Sequence, residues 1–409
     1  MIKKIIVSFG LLFALSSNAQ EGTASPYSFY GIGDVKFKGT VENRMMGGVS
    51  VFSDSIHLNL QNPAHFASLQ LTTFSVGGSS LNTTLKTEEA KEKARRVTLD
   101  YLAVGIPMGK LGVGFGLIPY SSVGYKINRS IKDDGGNVLE QTGYNGIGGI
   151  NKVFLGMAYK ITKKLNFGVD AQYNFGTIET TSFRIETGVQ DGTIEENFSR
   201  ISGLNFNAGL AYETKIKKKY TLFGSLVYSP EANLKLANER TITVDDQVDE
   251  QPVSNLTLKL PSKIAFGAGF GEVKKWLVGA ELTLQQNSDL KNRFSDISGV
   301  VFENSTRYSL GGYYIPNYNS FSSYFERITY RGGLRFENTG MVIQNKSIED
   351  FAVNFGVGLP FGGTFSNVNI GFEIGKRGTK YFNLIEENYF NINIGLSFND
   401  KWFVKPKYN

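Results

Sequence analysis

The stretch LNFGVDAQYNFG, Leu165–Gly176, alternates without a break. Leu165, Phe167, Val169, Ala171, Tyr173 and Phe175 take one parity; Asn166, Gly168, Asp170, Gln172, Asn174 and Gly176 take the other. Successive side chains of a strand point to opposite faces, so this is a strand with one apolar and one wet face.

The pattern returns along the chain. Leu204, Phe206, Ala208 and Leu210 alternate with Asn205, Asn207 and Gly209. Phe351, Val353, Phe355 and Val357 alternate with Ala352, Asn354 and Gly356. Phe390, Ile392, Ile394, Leu396 and Phe398 alternate with Asn391, Asn393, Gly395 and Ser397. About fourteen such segments are expected, at 71–85, 97–107, 111–128, 149–161, 165–185, 201–213, 220–236, 256–270, 275–287, 306–315, 327–341, 350–360, 366–377 and 389–398. Connections after odd-numbered segments are mostly long and polar (86–96, 129–148, 186–200, 237–255, 288–305). Those after even-numbered ones are short (108–110, 162–164, 214–219, 271–274, 361–365), with 316–326 the exception. Sorting by parity is the signature of an outer-membrane barrel with tight periplasmic turns and longer outer loops. A soluble sandwich has no reason for it. The chain is therefore read as all-β: a transmembrane antiparallel β-barrel of about 14 strands. In lipid a sheet must close, because unpaired backbone groups find no water there.

The first residues agree on the compartment. Lys3 and Lys4 precede the apolar run Ile5 to Leu15, and Ser17-Asn18-Ala19 offers a small-residue cleavage site, which reads as a secretory signal peptide over 1–19. The run is too short for a spanning helix. The chain holds no Cys, which excludes disulfides, acylation at Cys and thiolate metal sites. Glycine (47 residues) and aromatics (13%) are abundant while the mean hydropathy is only −0.17, as expected when lipid-facing residues alternate with wet ones. The +6 net charge lies in short clusters, so nucleic acid is not an expected partner. Tyr101, Tyr159, Tyr228, Trp276 and Phe398, near strand ends, fit interfacial girdles.

Residues 20–66 do not alternate, yet SPYSFYGIGD and NRMMGGVSVFSDSIHLNLQNPAHFASL carry too many aromatic and aliphatic residues for a disordered tail. With no core of its own, this segment is expected to pack in the barrel lumen as a hatch. The expected division is 1–19 signal peptide, 20–66 hatch, 67–400 barrel and 401–409 periplasmic tail. Over Met46 to Leu69, GGVSVFSDSIHLNLQNPAHFASL up to Asn62-Pro63-Ala64 resembles the hatch of the FadL-type outer-membrane transporters of hydrophobic compounds. The whole layout resembles that family, and YSFYGIGD and ENYFNINIGLSFNDKWF look like its Bacteroidota members. The resemblance implies a lumen-filling hatch and a lateral or luminal route for greasy ligands such as long-chain fatty acids. In Bacteroidota, FadL-like barrels also serve as non-transporting subunits of secretion and assembly machines, so two functions stay open: gated passive uptake, or protein–protein contacts within an outer-membrane complex.

The expected site residues are few. Asn62, Pro63 and Ala64, flanked by His57 and His65, read as the joint between hatch and barrel, since Asn-Pro favours turn initiation and a proline placed before pairing begins costs no ladder bond. Asp170, Glu281 and Glu373 fall on the lumen-facing parity, where solvated lining is favoured over gating or hatch anchoring. Two histidines supply no metal set, and no G-x-S-x-G elbow is present. No catalytic residue, metal or cofactor is expected. Gly112-Val113-Gly114-Phe115-Gly116 lacks the following helix of a phosphate loop, so it reads as a glycine row that lets the hatch approach the wall. The basic turns Lys163-Lys164, Lys217 to Lys219 and Lys274-Lys275 face anionic headgroups or dock a periplasmic partner. Outer-membrane lipid, a hydrophobic small molecule and outer-membrane or periplasmic subunits are the expected partners. The expected location is the Gram-negative outer membrane, with both termini periplasmic.

Overall fold

The structure is a computed structural model describing residues 22–189, 191–294, 299–361 and 366–402. The signal-peptide reading and most of the 401–409 tail lie outside these residues. A short inner strand, β1 (Asp34–Val35), precedes the wall. The wall begins with six unbroken strands: β2 (Thr72–Lys86), β3 (Lys91–Met108), β4 (Leu111–Lys132), β5 (Val138–Lys160), β6 (Leu165–Glu186) and β7 (Thr193–Ile216). The seventh spanning element is β8 (Tyr220–Ser229) continued by β9 (Ala232–Val244). The eighth is β10 (Gln247–Gln251), β11 (Leu256–Leu260) and β12 (Lys263–Glu272). Then come β13 (Trp276–Gln285), β14 (Val300–Phe302) continued by β15 (Ser305–Tyr314), β16 (Thr329–Ile343), β17 (Lys346–Pro360), β18 (Asn367–Arg377) and β19 (Glu386–Asp400). Pro230, Pro252 and Pro261 stand at three of the breaks, where a residue without an N–H cannot continue the ladder.

Strand β19 pairs with β2 along its whole length, from Glu386 opposite Lys86 to Asp400 opposite Thr72, and this closes an antiparallel barrel of fourteen spanning elements. On β6 the residues Val169 and Tyr173 are exposed on the outside, while Asp170, Gln172 and Asn174 are buried inside. Asparagine in and phenylalanine out is the reverse of a water-soluble fold. It is what a barrel in hydrocarbon requires. No helix among the described residues is long and apolar enough to cross a membrane.

Every expected segment coincides with a strand, but the strands run further than the alternation does. β5 begins at Val138, β7 at Thr193 and β3 at Lys91, so most of the connections read as long polar loops are hairpin ladders, with turns at 87–90, 133–137, 187–188 and 245–246. Past the hydrocarbon both faces are wet. The two-residue period then disappears although the hydrogen-bonded ladder continues. Tyr101 also departs from expectation: it is 1% exposed and points inward. A bulge in β3 opposite Gly77 and Gly78 places Tyr101 across from Gly77 and Leu99 across from Gly78, and an extra residue flips the parity of all that follows.

Residues 22–71 run against the inward face of the wall. They include the short helix α1 (Val41–Met45) and a 3-10 helix, Pro63–Ser68. Between β3 and β4 the wall is paired only where Leu102–Met108 meets Leu111–Leu117. Beyond that point β4 turns its free edge to the N-terminal segment. Asp34 and Val35 of β1 pair with Ser122 and Ser121, the Lys36 N–H donates to the Tyr120 carbonyl (2.9 Å), and Ser121 Oγ donates to the Ile32 carbonyl (2.7 Å).

Candidate functional site

The site is the waist of the barrel, where the N-terminal segment meets the wall. Contact is possible because the wall is glycine-lined there. A Cβ on Gly112 or Gly114 would run into Phe66, one on Gly168 into Pro63 and Ala64, and one on Gly333 into Met46 and Gly47. Phe66 stacks on Phe154 with ring centroids 6.4 Å apart. Val49 and Val51, both fully buried, pack with Phe52 against Phe223 and Leu277.

The Asn62-Pro63-Ala64 motif opens the 3-10 helix. Asn62 is extended (φ −127°, ψ 110°), as a residue before proline must be, and its Oδ1 accepts from the Ala64 N–H at 3.0 Å, an N-cap with proline in the first position. Its Nδ2 donates to the Leu210 carbonyl on β7 (3.0 Å), and Ser68 Oγ accepts from Asn166 on β6 (2.9 Å). The motif is thus a capped helical turn bolted to the wall just before β2 begins, rather than an open turn.

The histidines do different jobs. His57 Nδ1 lies 2.9 Å from Asp54 Oδ2, and its Nε2 lies 3.8 Å from Glu42 on α1. Burial opposes charging of this ring, but the Asp54 and Glu42 carboxylates more than offset it, and its pKa is raised above 6.5. That pair contributes stability below about pH 6.5 and loses it as pH rises through the raised value. His65 is 3% exposed, with Nδ1 3.3 Å from Ser53 Oγ, and burial pushes its pKa down to about 4. The unfolded ring takes its proton near pH 6.5, so the stability that His65 lends is present above that pH and is lost as pH falls towards 4. This amounts to about 3 kcal/mol at pH 4. Acidifying from pH 7 to 4 is therefore expected to loosen the segment, read as protease cleavage between residues 50 and 70. A His65→Gln variant is expected to flatten that response, and an identical acid response in both proteins would refute the assignment.

The inward carboxylates are buried partners rather than solvated lining. Glu281 accepts from the Ser50 N–H (2.9 Å) and the Ser50 hydroxyl (2.7 Å). Glu373 lies 3.1 Å from Arg335 and 3.8 Å from Arg44 of α1. Asp170 accepts from Asn207 (3.1 Å to each oxygen) and from Gln172, within the wall. Glu281 and Glu373 therefore tie the segment down. The parity pattern carries no information about what sits opposite an inward residue.

Three arginines complete the lock. Arg335 of β16 reaches Asp350 (3.2 Å), Glu373 (3.1 Å), Glu337 (3.4 Å) and the Tyr389 hydroxyl (3.0 Å). Arg377 of β18 donates to Asp34 of β1 at 2.7 Å. Arg293, 1% exposed in the connection after β13, donates to the carbonyls of Gly31 (2.6 Å) and Phe29 (3.1 Å). The signal for Arg335 was present in LRF, Leu334–Phe336: a charge at an inward position between two outward apolar residues. Nothing local marks Arg293.

Cavities between segment and wall include two at the waist, of about 210 and 140 Å³, and one of about 270 Å³ bounded by Tyr27, Phe29, Tyr30, Ile127 and Tyr144. Lys38, Lys263, Arg307 and Glu281 share the lining of the first with Leu60, Tyr120, Val227 and Phe302, and Arg44, Asp100, Glu373 and Arg377 are among those lining the second. Among the described residues no group of His, Asp and Glu side chains is arranged to hold a metal ion.

The fold is similar to that of known channels. The toluene transporter TodX of Pseudomonas putida matches with a TM-score of 0.59 at 15% identity, over 91% of this chain and 100% of that one. The toluene transporter TbuX of Ralstonia pickettii matches with 0.59 at 12% identity, over 89% and 99%. A FadL homologue of Pseudomonas aeruginosa matches with 0.60 at 10% identity, over 90% and 98%. At such identities the likeness is one of fold. No match is found among curated proteins. A family model described as BamG matches residues 1–409. A barrel of this architecture, matched by that model over its full length, belongs to the BamG family.

Proposed function

We propose that this protein is a plugged outer-membrane barrel that acts by binding other proteins, as a non-transporting subunit of an outer-membrane secretion or assembly complex. The observation that carries this reading is the electrostatics of the waist. The two cavities at the waist carry charged side chains among their lining, and the segment is held there at Glu281, Glu373, Arg377 and Arg293. An apolar solute passing there would have to part these buried ion pairs and hydrogen bonds without replacing them, which costs several kcal/mol per group. In this reading the short-turn rim and the C-terminal end of β19 are periplasmic and residues 20–66 are a fixed plug. The expected periplasmic N-terminus is not met by the described start of the segment, where Ser25 and Tyr27 donate to Glu387 and the Ile385 carbonyl at the long-loop rim.

Gated passive uptake of a hydrophobic small molecule is the second reading. It is favoured by the fold shared with two toluene transporters and by the stretch where β3 and β4 part and only the N-terminal segment covers the edge of β4, which would serve as a lateral route. Purification of the full chain from its own membrane in mild detergent separates the two. A stoichiometric set of partners is expected. A lone monomer, together with loss of toluene or fatty-acid uptake on gene deletion, would overturn the proposal in favour of transport.

A further inference from the structure

One side of the short-turn rim differs from the rest. Four consecutive turns lie next to one another there: 161–164 between β5 and β6, 217–219 between β7 and β8, 273–275 between β12 and β13, and 315–328 between β15 and β16. Over 160–164, 213–219 and 272–275 the chain carries nine lysines and two glutamates. Elsewhere on that rim the connections 109–110 and 361–366 carry one lysine, Lys110, and residues 401–409 after β19 carry three. The turns of the arc touch. Glu272 lies 3.5 Å from Lys219 and 3.9 Å from Lys275, the Ile315 N–H donates to the Lys275 carbonyl (2.7 Å), and the Lys274 ammonium sits 4.4 Å from the centre of the Tyr318 ring.

Three of these lysines hold left-handed backbone: Lys217 at φ 49°, Lys218 at φ 61° and Lys274 at φ 65°. Asn-Gly or Asp-Gly is the ordinary choice for such hairpins, and a side chain with a full Cβ is disfavoured at each such position. The charge is therefore placed against the local conformational preference. Beside it, the 315–328 connection presents Tyr318, Phe321, Tyr324 and Phe325 to the outside, with Phe321 fully exposed (103%). Lipid surrounds a barrel on every side and gives no reason for a one-sided arc. A charged arc ending in an aromatic knob matches the composition of a protein interface, with aromatic anchors beside a charged rim.

We infer that the arc formed by the turns at 161–164, 217–219 and 273–275, with the aromatic connection 315–328, is the docking surface for a periplasmic protein whose matching face is acidic and holds an apolar pocket for Phe321. This rests on the subunit reading above and gives that contact a place. Rim lysines of this kind set encounter rate and salt dependence, and a buried aromatic anchor sets residence time.

The test is photo-crosslinking in the native membrane, with p-benzoylphenylalanine at position 321 of the full chain and, as control, at position 110. Heat-dependent gel mobility verifies folding of each variant. A discrete polypeptide adduct is expected from 321 and not from 110, with its yield reduced at least tenfold by K217E/K218E/K219E and, separately, by K274E. If partners co-purify but position 321 yields only lipid adducts, or an adduct indifferent to charge reversal, the surface assignment is overturned while the subunit reading stands. If the chain purifies alone and gives no adduct, both fall.

Discussion

Arg335→Leu is expected to lower the stability of the folded barrel by about 3–5 kcal/mol, the cost typical of removing one partner from a buried ionic cluster. The guanidinium sits among Asp350, Glu373 and Glu337, at 3.1–3.4 Å, and also donates to Tyr389. Without it three carboxylates face one another inside a closed wall, and Glu373 keeps Arg44 at 3.8 Å as its remaining cation, with Asn391 donating at 3.5 Å. Equilibrium urea unfolding in lipid vesicles, followed by tryptophan fluorescence, measures the change. Arg335→Lys should recover part of the loss, since one ammonium neutralises charge but cannot reproduce a planar fork reaching several oxygens. An unchanged urea midpoint for Arg335→Leu would mean that water, rather than arginine, balances these acids.

The second large effect concerns two neighbouring glycines. A Cβ on Gly333 would meet the backbone of Met46 and Gly47, whereas one on the adjacent Gly332, facing the other side of β16, meets nothing closer than a carbonyl at 3.9 Å. Gly333→Val is therefore expected to push the N-terminal segment off the wall and Gly332→Val to be tolerated. Overpacking costs about 1–3 kcal/mol, and the upper end applies because the obstructing atoms are backbone. That corresponds to more than a hundredfold rise in the population of the released segment, read as its cleavage rate by added protease. Equal cleavage in the two variants would show that the segment is not pressed against this strand.

How much of this was legible depends on period. Where a residue such as Val169 faces lipid and its neighbour Asp170 faces inward, the sequence prints the wall directly, and all the spanning elements were visible. Two things hid. Strand β5 starts eleven residues before the point its alternation suggests, because hydrogen bonds from Val138 onward continue where no face is apolar. Tyr101 turned inward because a bulge at its neighbours shifted parity, and a bulge leaves no compositional trace. At the site, the glycine row over 112–116 pointed correctly to close approach at Gly112 and Gly114, although Gly116 faces the backbone of Leu102 and Ala103 instead of the segment. Which carboxylate anchors the segment was not legible. Glu281 and Asp170 share the same parity, and only the fold places Ser50 beside one and Asn207 beside the other.

The seam between β2 and β19 has a consequence for the order of events during assembly. It joins Lys86 to Glu386, ends of the wall separated by nearly the whole sequence, so it is the most entropically expensive pairing and the last expected to zip. The N-terminal segment is made before β2 yet finishes inside the cylinder, pinned by groups as late as Arg377 on β18. Contacts to strands this far along the chain cannot form until those strands have been made and paired. The last contacts of the segment are therefore expected to form as the wall closes, with the segment serving as the mandrel about which the final strands are wound.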